Sequence, residues 1–205
     1  MARIKFTKGE LKKTRDALRQ YERYLPTLQL KKQQLQMEIL RQLRLHQEKE
    51  ELEASKRGMI EAWAGLLVDV PKDLRAWITP KEITIAARNI AGVDLPVFER
   101  AEFEPAEYDL FIIPLWVDTA VDLLRELVSL RQEIKVLAQG VKVLRDELRI
   151  TTQRVNLFEK VKIPLAKETI RLIKIYLGDQ MTNAVGRSKM AKRKIEETVL
   201  EEVAV

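Results

Sequence analysis

Residues 127–176 read LVSLRQEIKVLAQGVKVLRDELRITTQRVNLFEKVKIPLAKETIRLIKIY. Apolar residues recur there at alternating steps of three and four: Leu127, Leu130, Ile134, Leu137, Val141, Leu144, Leu148, Val155, Phe158, Leu165, Leu172 and Tyr176. Thr151, Lys162 and Thr169 are the interruptions, and Arg, Lys and Glu fill the positions between. A stripe that narrow is buried by a second long helix laid along it, as in a coiled coil. Helices of short bundles rarely keep such a repeat beyond about 25 residues.

The partner stripe lies upstream. Thr7 and Glu10 have the spacing of a capping box, so a helix is expected to start there. Its seam reads Leu11, Thr14, Leu18, Tyr21, Leu25, Leu28, Lys32, Leu35 and Ile39, then shifts phase to Leu45, Leu52 and Met59, which predicts a stutter. Pro26 sits inside this pattern and Pro164 inside the second one, and each predicts a kink. Gly140 lies in the second helix off the seam, a costly residue there unless something packs close to it.

Between Gly58 and Pro114 the period changes, and five of the seven prolines fall there. Glu82–Ile90 holds alternating Ile83 and Ile85, Ala91-Gly92-Val93-Asp94 supplies turn residues, and Leu95, Val97 and Phe103 resume the apolar pattern, which predicts a β-hairpin. A chain that turns back in this way pairs its two long helices antiparallel. The predicted fold is therefore mainly α: a long antiparallel two-helix coiled coil with a small middle region containing a β-hairpin. Its parts are an N-terminal helix over 7–68, the middle over 69–117, a C-terminal helix over 118–177 capped by Asp118 or Thr119, and a basic overhang over 178–205.

The chain has no cysteine and one histidine, which excludes disulfides, cysteine-based zinc sites and thiol catalysis and fits a reducing, cytoplasmic setting. His46 has no second histidine nearby, and the charges from Glu48 to Lys56 read as a solvated face laced with pairs four residues apart. Phosphate loops and nucleophile motifs are missing, so neither catalytic nor cofactor-binding nor metal residues are expected. No apolar run reaches the roughly 18 residues of a membrane span.

The net charge of +6 is unevenly spread. Residues 1–60 hold 15 Lys and Arg against 8 Asp and Glu, residues 61–117 hold 5 against 10, and residues 118–205 hold 17 against 13. Basic helices flanking an acidic middle suggest two different partner surfaces rather than one face for nucleic acid. Trp63, Trp77 and the run from Tyr108 to Trp116 either form a small core where the helices meet or a docking site, and the acidic excess favours docking.

Arg154-Val155-Asn156, Glu159, Ile163-Pro164 and Thr169-Ile170-Arg171 resemble the signature of the D subunits of V/A-type rotary ATPases, as does Leu28–Ile39 with Lys31-Lys32, Leu35 and Met37-Glu38. The chain departs from the family at Lys32-Gln33, where an Arg-Asp pair is common, and at Leu157, where an alanine is. The resemblance implies a non-catalytic central rotor axle that couples ATP hydrolysis or synthesis to proton or sodium translocation. It also implies the partners: the catalytic and regulatory nucleotide-binding subunits of the head, the small F subunit of the rotor, and a membrane-side rotor subunit facing the hairpin. A coiled-coil tether or scaffold is the alternative reading.

If the first helix ends near Val68 and the second begins near Asp118, Tyr176 and Leu177 lie opposite Gly9 and Glu10. Nothing N-terminal then covers the residues beyond. Arg187, Lys189, Lys192, Arg193 and Lys194 are therefore expected either on an overhanging helix that reaches into the nucleotide-binding ring or in a disordered basic tail.

Overall fold

The computed structural model describes residues 5–62, 65, 74–106, 114 and 116–203, with side chains as far as residue 197. The chain forms two compact units, Leu30–Thr152 and the combination of Met1–Gln29 with Gln153–Val205. Helix α1 spans Lys8–Glu61 and α3 spans Trp116–Asn156, so each contributes to both units. Of the expected first helix, the part beyond Glu61 falls mostly outside the described residues.

In the Leu30–Thr152 unit, ion pairs join α1 to α3: Lys31 with Glu147 at 2.6 Å, Lys49 with Glu133 at 2.9 Å, Glu53 with Arg131 at 2.8 Å, and Lys56 with Glu126. As the α1 number rises from 31 to 56 its partner falls from 147 to 126, so the helices run antiparallel. Leu35, Ile39 and Ile60 of α1 and Leu130, Val141, Leu144 and Thr151 of α3 are buried between them, while Leu127, Ile134, Leu137 and Leu148 are half-buried.

The expected stutter does not occur. Burial in α1 continues in unbroken steps of three and four through Gln42, His46, Lys49, Glu53 and Lys56 to Ile60, while Leu52 and Met59 stay 44% and 59% exposed. Three of these seam positions carry charge, and α3 answers each with an opposite charge, so the phase survives without apolar residues. Pairs this exposed stabilise by about 0–1 kcal/mol each, and their main effect is on register. The Glu48–Lys56 stretch is accordingly not only a solvated face.

The hairpin comprises β1 (Pro80–Ile90) and β2 (Val93–Phe103), paired antiparallel from Pro80 opposite Phe103 to Ile90 opposite Val93. Its two-residue turn, Ala91-Gly92, has φ of 53° and 75°. Two successive positive values are what a type I′ turn requires, and they match the twist of the strands. Asn89 braces the turn, donating from its amide to Asp94 Oδ1 at 2.7 Å and accepting from the Gly92 N–H at 3.2 Å.

The hairpin lies along the helix pair. At its tip Val93 and Leu95 are buried with Leu35, Ile39 and Leu144. At its base Arg125 donates to the carbonyls of Trp77 and Glu104 at 2.9 and 2.6 Å and stacks 5.5 Å from the Phe103 ring centre. Gly140 faces β2, where a methyl group added to it would sit in ordinary contact, 4.0 Å from the Pro96 carbonyl oxygen. A short helix, α2 (Leu74–Ile78), closes the unit by burying Leu74 and Trp77 against Val117 and Val121.

In the other unit, Thr7 caps α1 by accepting from the Glu10 N–H at 3.2 Å, and the helix continues through Pro26, whose side chain is exposed. The second helix of the pairing changes character at Leu157–Lys162, which forms a π turn, before α4 (Ile163–Val203) resumes. The Ile163 N–H bonds to the Phe158 carbonyl, five residues back. Pro164 explains the place: it has no N–H to donate and its ring crowds the carbonyl four residues before it, both relieved by a wider turn.

That turn corrects the predicted seam. One extra residue shifts the phase of everything after it, so burial passes to Ile163, Ala166, Ile170, Ile173 and Leu177, each one position later than expected. Leu165 and Tyr176 are left 59% and 42% exposed, and Lys162 faces solvent. Before the turn Val155 is buried, and Phe158 packs its ring 5.3 Å from that of Tyr21. Leu11, Leu18, Leu25 and Leu28 are half-buried, as is Leu172. Phe6, just ahead of α1, stacks on Tyr176 at 5.0 Å, about one turn from the expected level.

Candidate interaction surfaces

Beyond Leu177 every described side chain of α4 is exposed. Arg187, Lys189, Lys192, Arg193 and Lys194 thus stand on a continuous helix, not a disordered tail. Lys192 and Arg193 pair four residues on with Glu196 at 3.6 Å and Glu197 at 2.9 Å, which supports the helix and partly neutralises the patch. Apolar Met181, Val185, Met190 and Ile195 are at least half exposed among them. Among the described residues this part of α4 has no buried face, so these apolar side chains are left uncovered.

Closer to the paired region, Arg171 holds Glu168 in a two-pronged bond, Nε to Oε2 at 2.9 Å and Nη2 to Oε1 at 2.7 Å. Hydrogen bonding from the guanidinium, with its charge, keeps the Glu168 carboxyl below the ordinary carboxylate value and raises Arg171. Both groups lie on the surface, so the pair is a stiff charged feature available to a partner.

A third surface escapes a reading of the seam alone. Leu30, Met37 and Leu40 of α1 are 55%, 64% and 58% exposed, with Arg41 and Arg44 beside them. Their signal in the sequence is that of apolar residues left over once the seam is assigned. In the acidic middle, by contrast, Trp77 is buried and Trp116 packs against the same cluster, so these aromatics are core. Trp63 and Tyr108 lie outside the described residues. The hairpin tip, packed on Leu35 and Leu144, points back along the helices rather than past the end where α3 begins.

No cluster of three possible metal-ligating side chains occurs among the described residues, and His46 has Glu50 as its neighbour at 3.3 Å. None of the helices among the described residues is long and apolar enough to cross a membrane.

Residues 10–193 match the family of ATP synthase D subunits. This chain belongs to that family. The V-type ATP synthase D subunit of Borreliella burgdorferi is 44% identical over 192 residues, which cover 94% of this chain and 95% of the relative. That of Chlamydia abortus is 35% identical over 199 residues, 96% of this chain and 95% of its own, and that of Chlamydia pneumoniae is 35% identical over 200 residues, 94% of this chain and 93% of its own. The family match takes in both compact units, the hairpin and most of the exposed basic arm.

Proposed function

We propose that the chain is the non-catalytic central shaft of a V/A-type ATPase or ATP synthase, transmitting rotation between nucleotide chemistry in the head and proton or sodium movement in the membrane. The observation that carries this reading is the family match along nearly the whole chain. The physical form agrees with it. Antiparallel helices locked by charge pairs across the seam, with a hairpin clamped along them, resist bending and twisting better than a single helix does.

The parts divide as the charge does. The arm over 178–205, with Arg187, Lys189, Lys192, Arg193 and Lys194, reaches into the ring of catalytic and regulatory nucleotide-binding subunits. The exposed Leu30, Met37 and Leu40 with Arg41 and Arg44 take the small F subunit of the rotor. Docking to the membrane-side rotor falls to the region 69–117, at the end where α2 packs on α3. Supporting this last assignment are the acidic excess there and the burial of the hairpin tip away from that end.

Co-purification tests the assignment. A tagged chain is expected to bring down nucleotide-binding subunits and a small rotor partner, whereas recovery of the chain alone would favour a scaffold. Truncation after Leu177 is expected to leave the melting of the isolated chain almost unchanged while weakening assembly with the head. A truncated chain that assembles and turns over normally would remove the arm from the mechanism.

A further inference from the structure

The segment after the π turn carries two apolar lines one residue apart. The line in use is Ile163, Ala166, Ile170, Ile173 and Leu177, with Ile173 fully buried. The line one position earlier, Leu165, Leu172 and Tyr176, continues the heptad phase of α3, and its first and last members are exposed. A sequence that needed only one phase would be expected to place polar residues on the other.

What selects between the lines is one residue's worth of helix, held in the turn at Leu157–Lys162. Pro164 anchors the turn by making an unbroken α-ladder costly at that point. Lys162 and Thr169 weaken the alternative line, because that phase would bring both to the seam. Past Leu177 every described side chain is exposed, so a wide turn placed there would disturb no packing.

We propose that the π turn is a movable register element. When it passes from Leu157–Lys162 to a position beyond Leu177, residues 163–177 turn by about 100° and advance by about 1.5 Å, one residue of helix. Leu165, Leu172 and Tyr176 then face α1, and Ala166 and Ile173 face outward. The helix on either side keeps its orientation, so the surface that this stretch offers to a partner changes while the arm beyond it stays in phase. The exchange is a property of the chain itself and does not depend on the rotor assignment.

The absence of cysteine makes the test clean. Leu165→Cys and Ala166→Cys, introduced singly into the full-length chain, report the two phases by their rates of maleimide alkylation. In the otherwise unaltered chain Leu165→Cys is expected to react at least tenfold faster than Ala166→Cys. Adding Lys162→Leu, Pro164→Ala and Thr169→Leu completes the alternative line and removes the anchor, and the order of the rates is then expected to reverse with helicity unchanged. An unchanged order in a fully helical variant would show a single register and overturn the proposal. Should the triple variant lose helicity, Pro164→Ala alone is read: the ratio of the two rates is expected to fall at least threefold, and a ratio equal to that of the unaltered chain would overturn the proposal equally.

Discussion

Truncating Ile173 and Leu165 to alanine, one at a time, separates the observed packing from the plain heptad reading. Both residues lie on α4 in the same compact unit, so the comparison shares its background. Ile173 is 0% exposed, and losing three buried carbons with little room for collapse costs about 2–5 kcal/mol. Leu165 is 59% exposed, and alanine is at least as good a helix former, so its replacement stays within about 0.5 kcal/mol. For a chain of this size about 1 kcal/mol moves a melting point by roughly 2–4 °C. Thermal melts followed by circular dichroism should therefore drop by roughly 4–20 °C for Ile173→Ala and barely move for Leu165→Ala. Because the chain has two compact units, the comparison rests on the transition that includes α4. A larger loss for Leu165→Ala than for Ile173→Ala would refute the phase shift and restore the uninterrupted seam.

Other perturbations test other parts of the packing. The Thr151 hydroxyl is buried without a hydrogen-bond partner, so Thr151→Val, nearly equal in shape, is expected to stabilise the chain by about 1–3 kcal/mol in urea titrations. Gly140→Ala places its methyl group in ordinary contact with the Pro96 carbonyl and is expected to gain about 1 kcal/mol of helix stability, and a loss would mean that the hairpin sits closer than 4.0 Å implies. Replacing residues 86–98 by a short Gly-Ser turn removes Val93 and Leu95 from the core and should lower the melting point, since each buried apolar side chain contributes about 1.5–3 kcal/mol. For Glu168, a folded-state value held below the ordinary one means that its contribution is present above the ordinary carboxylate range and is lost as pH falls through the lowered value. Carboxyl NMR should show Glu168 titrating below the ordinary glutamate value, and Arg171→Gln should remove that shift.

The helices and the hairpin were legible because their periods are strong. Leu127 to Phe158 keeps its steps of three and four, and Ile83, Ile85 and the Ala91-Gly92 pair mark strand and turn. What escaped has identifiable reasons. A π turn adds one residue, and the stretch that follows holds apolar residues on both candidate lines, so a fixed heptad template finds matches in either phase. Pro164 signalled a disturbance but not its kind. In α1 the search for apolar seam residues turned Lys49, Glu53 and Lys56 into an apparent stutter, because charges qualify for a seam only when the opposite helix supplies Glu133, Arg131 and Glu126. Strand alternation likewise says nothing about which helices a hairpin lies on, although Gly140 hinted at a close neighbour. Counting levels along the pair marked the basic stretch beyond Leu177 as uncovered, while the exposure of Leu30, Met37 and Leu40 needed the burial pattern to stand out.

The central claim is rotation, and rotation can be watched. With the head of the reconstituted complex fixed to glass and a bead attached through Glu99→Cys, a single thiol at an exposed position of the hairpin, addition of ATP should turn the bead in one direction for many revolutions. A complex that hydrolyses ATP while beads on this chain remain still relative to the head would contradict the account.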